Sequence, residues 1–168
     1  MLPQKITYQD FHHPLLSGVV FAEKFFVFAI ALRESDAFIS RFEKLGINLF
    51  PGKVFAAEEI MEYLNGLRRA FSVVPKPLWG TPFQRRIWCE TRCIPYSSVI
   101  TYSELALRVG NPSAYRAVGQ ALAANPIPII IPCHRIVPKI QSSSIGGFSG
   151  GAEIKAKLLQ LEQNILSY

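Results

Sequence analysis

Cysteine is scarce in this 168-residue chain, with three copies at Cys89, Cys93 and Cys133. So few, and an odd number, do not build the disulfide framework of a small secreted protein. Long apolar runs are missing too. The longest strictly apolar stretch, residues 25–32, falls far short of the ~20 residues that a bilayer-spanning helix needs. The opening Met1-Leu2-Pro3-Gln4-Lys5 lacks the apolar core of a secretory signal, so a cytoplasmic location with no membrane partner is expected. No repeat or low-complexity segment is present. Acid is short in one half only. Residues 1–78 carry nine Lys and Arg against eight Asp and Glu, whereas residues 79–168 carry nine against four. A basic half-chain suits a polyanion such as nucleic acid, and it equally suits plain solubility. With 49% hydrophobic and 18% charged residues the composition is globular, and the length allows a real core in one ordinary domain or two small ones.

What is present divides near residue 78. Residues 19–32 are aromatic and β-branched, interrupted at Ala22-Glu23-Lys24, a pattern for two strands joined by a tight turn. Residues 36–45 suit a short helix. Residues 55–70 suit a longer one: Phe55, Ile60, Tyr63, Leu64 and Leu67 fall near one face, with Glu58, Glu59 and Glu62 toward the start and Arg68 and Arg69 at the end. Pro75, Pro77, Gly80 and Pro82 mark the expected linker between a small α/β domain, residues 1–78, and a second domain, residues 79–168.

The second domain is mainly helical in pattern. Thr81 followed by Pro82 opens a helix through Phe83, Ile87 and Trp88 to Thr91. Thr101-Tyr102-Ser103-Glu104 has capping-box spacing and opens a short helix that Gly110 stops. Asn111 and Pro112 then cap and start a second helix, residues 113–124, closed by Asn125-Pro126. Two short helices joined by a Gly-containing turn predict a helix-turn-helix whose second member is the candidate recognition helix. That helix is built mostly from small residues, with Arg116 its sole charge, so it lacks the several long polar side chains that read major-groove base edges. Its small residues either admit a close approach to a nucleic-acid backbone or pack against neighbouring helices. Residues 127–131, bracketed by Pro126, Pro128 and Pro132, are expected to run as an isolated extended segment. Residues 142–151 form a Ser/Gly loop around Phe148, suited to closing over a pocket, and residues 155–163 a final amphipathic helix that includes Glu162.

The stretch Ile131-Pro132-Cys133-His134-Arg135 is the most chemically loaded. A thiol becomes nucleophilic when nearby cationic or hydrogen-bonding groups favour its thiolate, and both kinds adjoin Cys133. Neighbours on an extended chain point to opposite faces, so His134 is expected to reach the thiol only through a bridging group.

Tyr102-Ser103-Glu104-Leu105-Ala106, Asn111-Pro112, Arg116-Ala117-Val118-Gly119, Asn125-Pro126-Ile127-Pro128, Pro132-Cys133-His134-Arg135 and Gly147-Phe148-Ser149-Gly150-Gly151 stand in one order and spacing. In these six blocks, residues 79–163 resemble the O6-alkylguanine-DNA alkyltransferases. Residues 1–78 resemble the family's N-terminal domain by position more than by motif. The resemblance implies an α+β protein: a ribonuclease-H-like α/β domain, then a mainly helical, winged helix-turn-helix-like domain. It implies single-use transfer of an alkyl group from O6 of guanine, and of O4 of thymine as an open extension, to Cys133 as a thioether. In that scheme His134 takes the thiol proton through a water, Glu162 supports His134, and Tyr102 donates to guanine N3. The target base is extruded from the duplex. Arg116 fills its place, and Ala114, Gly119, Ala123 and Tyr102 lie against the DNA. Asn125, Pro128, Phe148, Ser149 and Leu122 form the pocket. Phe148 stands where relatives usually have tyrosine, which keeps a stacking face and loses a hydroxyl bond. The implied partner is double-stranded DNA containing O6-alkylguanine, bound by a monomer without cofactor.

Other functions share parts of the pattern. Non-catalytic modules that bind alkylated DNA resemble the same architecture but lack the cysteine of the Pro-Cys-His-Arg block. An unrelated cysteine hydrolase needs an oxyanion hole and a histidine facing the thiol, and only the Cys and His themselves speak for it. Cys89 and Cys93 are expected as buried structural thiols. With Cys133 and the adjacent His134 they make poor tetrahedral geometry, so no metal site is expected. Relatives that bind structural zinc place cysteines in the N-terminal domain, where this chain has none.

Overall fold

β-branched and aromatic residues of the first half pair into one five-stranded sheet. In the computed structural model, which describes residues 2–33, 35–139 and 145–164, strands β1 (Lys5–His12), β2 (Ser17–Glu23) and β3 (Phe26–Ala31) form an antiparallel meander. β4 (Asn48–Pro51) joins β1 in parallel and β5 (Val74–Pro75) joins β3 in parallel, so the order is β4-β1-β2-β3-β5. The expected strand pair is present, with its turn at Lys24-Phe25 rather than Ala22-Glu23-Lys24, because Lys24 takes the positive φ of 52°. β1 and β4 escaped the sequence reading. β1 mixes Lys, Thr, Gln, Asp and His with two buried residues, Ile6 and Phe11, too sparse a pattern to stand out.

Consecutive residues Val20, Phe21 and Ala22 are buried, which requires cover on both sheet faces. Helix α1 (Asp36–Lys44) stacks Phe38 and tilts Phe42 against Phe21, and helix α2 (Phe55–Leu64) packs against β1 and β2. α2 is six residues shorter than the periodicity predicts. Gly66 adopts φ +75°, its amide bonds to Tyr63 O and that of Leu67 to Glu62 O, the paired closure of a Schellman end. Arg68 therefore lies beyond the helix, where it pairs with the buried Glu59 at 2.9 Å.

The chain divides into two compact units, Met1–Leu78 and Trp79–Tyr168. In the second, α3 (Pro82–Arg92) and α4 (Tyr102–Arg108) each begin with a complete capping box, from Thr81 to Gln84 and from Thr101 to Glu104. α4 ends as α2 does, at Gly110 with φ +77°. The next helix, α5 (Tyr115–Ala123), starts later than residue 113. Asn111 supplies its carbonyl to the Ala114 amide, a turn that defers the helix, and no side chain caps it. Trp88 of α3 donates to Ala121 O at 2.7 Å and locks α5 in place. Short strands β6 (Ile100–Thr101) and β7 (Ile136–Val137) pair in parallel, and helix α6 (Ala152–Asn164) closes the unit. Of the predicted Ser/Gly loop, residues 142–144 lie outside the described residues. Among the described residues no helix is long and apolar enough to cross a membrane.

Candidate active site

Residues 127–131 do not run extended. Ile131 N donates to Ile127 O at 2.9 Å, Ile129 sits at φ +74°, and Pro128 bridges to Ile131, so the segment folds into a tight, buried turn. Burial is tolerable because Pro126, Pro128 and Pro132 bring no amide hydrogens and the amides of Ile127 and Ile131 are satisfied within the turn. A β-branched residue at positive φ is strained by ~1–3 kcal/mol and persists only where its surroundings hold it. Asn125 is the holder: Oδ1 accepts from Ile127 N at 3.0 Å, while Nδ2 donates to Ile131 O at 3.0 Å and to Cys133 Sγ at 3.3 Å.

The turn delivers Cys133 into a single 3-10 turn, Cys133–Arg135, rather than an extended chain. Successive side chains there diverge by about 120° instead of 180°. Cys133, His134 and Arg135 thus point three ways, and all three are buried. Burial pushes the Cys133 thiol up to about 11, against the Asn125 hydrogen bond, the Lys155 charge and the backbone amides of Cys133 and His134. The resting group is a thiol, and reaction requires a proton acceptor.

His134 Nε2 lies 2.9 Å from Glu162 Oε1. A carboxylate only accepts, so Nε2 carries the proton and Nδ1 is the basic nitrogen. Burial lowers the His134 pKa despite the Glu162 carboxylate, which keeps the imidazole neutral and ready to accept. Glu162 is held from several sides. Arg135 Nη2 donates at 2.8 Å and Nε at 3.1 Å, and Ser97 N at 3.0 Å. Burial would raise its carboxyl, but the hydrogen bonds and charges of His134 and Arg135 prevail and hold it at about 2. Arg135, read from sequence as a neighbour that tunes the thiol, is instead the counter-ion of Glu162 and also donates to Ile94 O at 2.7 Å.

The β6–β7 pair sets Tyr102, first residue of α4, beside the exit of the cysteine turn. Burial and then the Cys133 charge raise the Tyr102 pKa, opposed by a hydrogen bond from the Gly147 backbone, so its hydroxyl keeps its proton. Lys155 is the charged side chain near the thiol that sequence reading passed over. It is fully buried on α6, donates to Ile136 O, and lies 5.8 Å from the Tyr102 ring centroid. Burial brings its pKa down to about 8, opposed by Cys133, so it is a cation at neutral pH. A lysine in an amphipathic helix reads as solvent-facing, and only its spacing of seven from Glu162, two helical turns, hinted at a shared inward face.

Phe148, half-buried, meets His134 edge-on at 6.1 Å, and Ser149 is exposed before α6. Pro128 and Leu122 are buried, the latter on α5. Along α5, Arg116 and Ala123 are exposed and Gly119 is half-buried, with the Tyr102 ring 3.8 Å from where a Cβ would stand; Ala114 is half-buried at its cap. Ala117 and Ala124 are also exposed, so the small residues of this helix do not all pack inward. Cys89 and Cys93 are exposed thiols, contrary to the expectation of buried ones, because they fall on the outer face of α3 opposite Ile87, Trp88 and Thr91. Among the described residues no cluster of His, Cys, Asp and Glu could hold a metal ion.

A buried cysteine fed by an asparagine-clamped turn, a carboxylate-backed histidine beside it and a small-residue helix after a capped one define a nucleophilic cysteine protein built on a helix-turn-helix. Residues 82–164 match the family described as 6-O-methylguanine DNA methyltransferase, DNA binding domain. The chain is 52% identical over 101 residues to the methylated-DNA–protein-cysteine methyltransferase of Haemophilus influenzae, an alignment covering 60% of this chain and 55% of that protein. The crystal structure of the Mycobacterium tuberculosis O6-methylguanine methyltransferase superposes with a TM-score of 0.80 at 30% identity, covering 95% of this chain and 93% of that one. A second mycobacterial structure, in complex with DNA, gives 0.79 at 27% identity, covering 95% and 94%. The chain belongs to the O6-methylguanine-DNA methyltransferase family.

Proposed function

We propose that this protein repairs DNA by moving an alkyl group from O6 of guanine irreversibly onto Cys133. The observation that carries this is the convergence of Asn125, Tyr102, Lys155 and the His134–Glu162 pair on one buried thiol. The thiol proton passes through a water to Nδ1 of His134, whose charge Glu162 then offsets. Sγ attacks the alkyl carbon in line as the carbon–O6 bond breaks, and the bond pair leaves with the purine. Tyr102 protonates the purine at N3 and is recharged by the proton that left the thiol. The Lys155 cation stabilises both the thiolate and the transient phenolate. Asn125 steadies the sulfur, and Phe148, Pro128, Leu122 and Ser149 bound the base.

O6 lies inside the duplex stack, so the nucleotide is extruded, with α5 approaching through Ala114, Gly119 and Ala123 and Arg116 entering the gap. A thioether does not hydrolyse, so each molecule acts once, as a monomer. Two exposed free thiols suit a reducing, cytoplasmic compartment. Mass spectrometry after incubation with an O6-methylguanine oligonucleotide tests this. The Cys133 peptide gains one methyl group, at no more than one equivalent per protein. Methylation elsewhere, or sustained turnover, would refute it.

A further inference from the structure

Tyr102 borders a second space. A cavity of about 580 Å³ is lined by Thr101, Tyr102, Ser103, Tyr115, Pro138 and Lys139, within the range of about 300–1,000 Å³ typical of small-ligand sites. None of the proposed base-binding residues Pro128, Leu122, Phe148 and Ser149 lines it. Among the described residues its walls are hydroxyls, two phenol rings, a proline and one cation, with no carboxylate. Tyr115 stands out along α5, whose exposed residues are otherwise Arg116, Ala117, Gln120 and Ala123. The residue is 47% exposed, and the Arg116 guanidinium lies over its ring at 5.8 Å.

We propose that this cavity is a subsite for the nucleotide adjoining the extruded guanosine in the same strand, with its base stacked on Tyr115 and its phosphate drawn to Lys139. The inference rests on the alkyl-transfer reading above. Tyr102 is the shared wall: its hydroxyl is hydrogen-bonded by the Gly147 backbone and feels the Cys133 sulfur, and the residue also lines the cavity. A ligand that fills both spaces is therefore continuous past Tyr102, as consecutive nucleotides of one strand are. Stacking on an aromatic face accepts any base, which suits a protein that must act wherever damage falls. Before DNA binds, the Arg116 guanidinium covers one side of the Tyr115 ring by a cation–π contact and leaves the other open as a platform.

Single-turnover transfer to Cys133 is measured from four substrates: a short duplex with one O6-methylguanine, the same duplex lacking the neighbouring base on one side or on the other, and a free O6-alkylguanine base. Tyr115→Ala lowers the ratio of duplex to free-base rates about tenfold, and Tyr115→Phe restores it. Removing the neighbouring base on one side slows the native protein by a similar factor and slows Tyr115→Ala no further, because the two changes delete one contact. Lys139→Ala reduces the slope of log affinity against log salt by about one. Multiplying losses for both neighbours, or a Tyr115→Ala defect equal on duplex and free base, would overturn the subsite. Absence of transfer from every substrate by the native protein would instead fell the alkyl-transfer reading, and the subsite with it.

Discussion

At Cys133 burial and electrostatics oppose each other, and burial prevails, leaving a thiol near 11 that must be deprotonated during reaction. In the proposed reaction Lys155 is the cation that makes this feasible, and its own pKa of about 8 sets a pH limit. Transfer falls as pH rises through about 8, where Lys155 loses its charge. Lys155→Met reacts on the order of tenfold more slowly at pH 7 and lacks that fall, which single-turnover rates between pH 6 and 10 will show. Stability runs the other way. Lys155 binds its proton more weakly folded than unfolded, so unfolding free energy rises between pH 8 and about 10.5. Glu162 gives a slope of the same sign in acid: its depressed pKa stabilises the fold fully above about 4.5, and this is lost as pH falls through about 2. Glu162→Ala leaves the buried Arg135 charge uncompensated and should cost ~3–5 kcal/mol in urea unfolding at pH 7.

At the scale of elements, the capping box of α4 does two jobs, since Thr101 also pairs with Val137 in the β6–β7 strand pair and Tyr102 follows it directly. Thr101→Ala should lower stability by about 1 kcal/mol and slow transfer as Tyr102 loses its anchor. Thr81→Ala, which removes the matching box of α3, should cost a similar amount of stability with little effect on rate. Thermal melts beside single-turnover assays separate the two. The exposure of Arg116 on α5 has its own consequence. Arg116→Ala should slow repair of duplex DNA at least tenfold more than reaction with free O6-alkylguanine, because only the duplex requires a gap to be filled.

For the whole molecule, the excess of basic residues in the second half, nine against four, predicts that duplex affinity falls steeply with added salt and varies little with flanking sequence. Fluorescence anisotropy from 50 to 300 mM salt on unrelated duplexes would check this. The helix starts of α3 and α4 and the pairing of β2 with β3 were legible along the chain, because capping and strand alternation involve residues a few positions apart. The early stop of α2 was legible in principle at Gly66, but the continuing apolar spacing to Leu67 masked it. The turn of residues 127–131 was misread because proline density excludes a sheet without specifying what replaces it. Its shape depends on Asn125 bonding at both ends.

The order of residue types alone singled out Cys133, His134 and Glu162 as candidate nucleophile, base and supporting acid, and pointed to the family. These rest on which side chains are present and at what separations. Tertiary structure decided what those groups are chemically: a thiol rather than a thiolate at rest, a neutral histidine, an ionised Glu162, and a buried lysine that sequence pattern places in solvent. Ionisation in a protein depends on burial and on charges brought close by folding, and Ser97, His134, Arg135 and Glu162 meet across long stretches of chain.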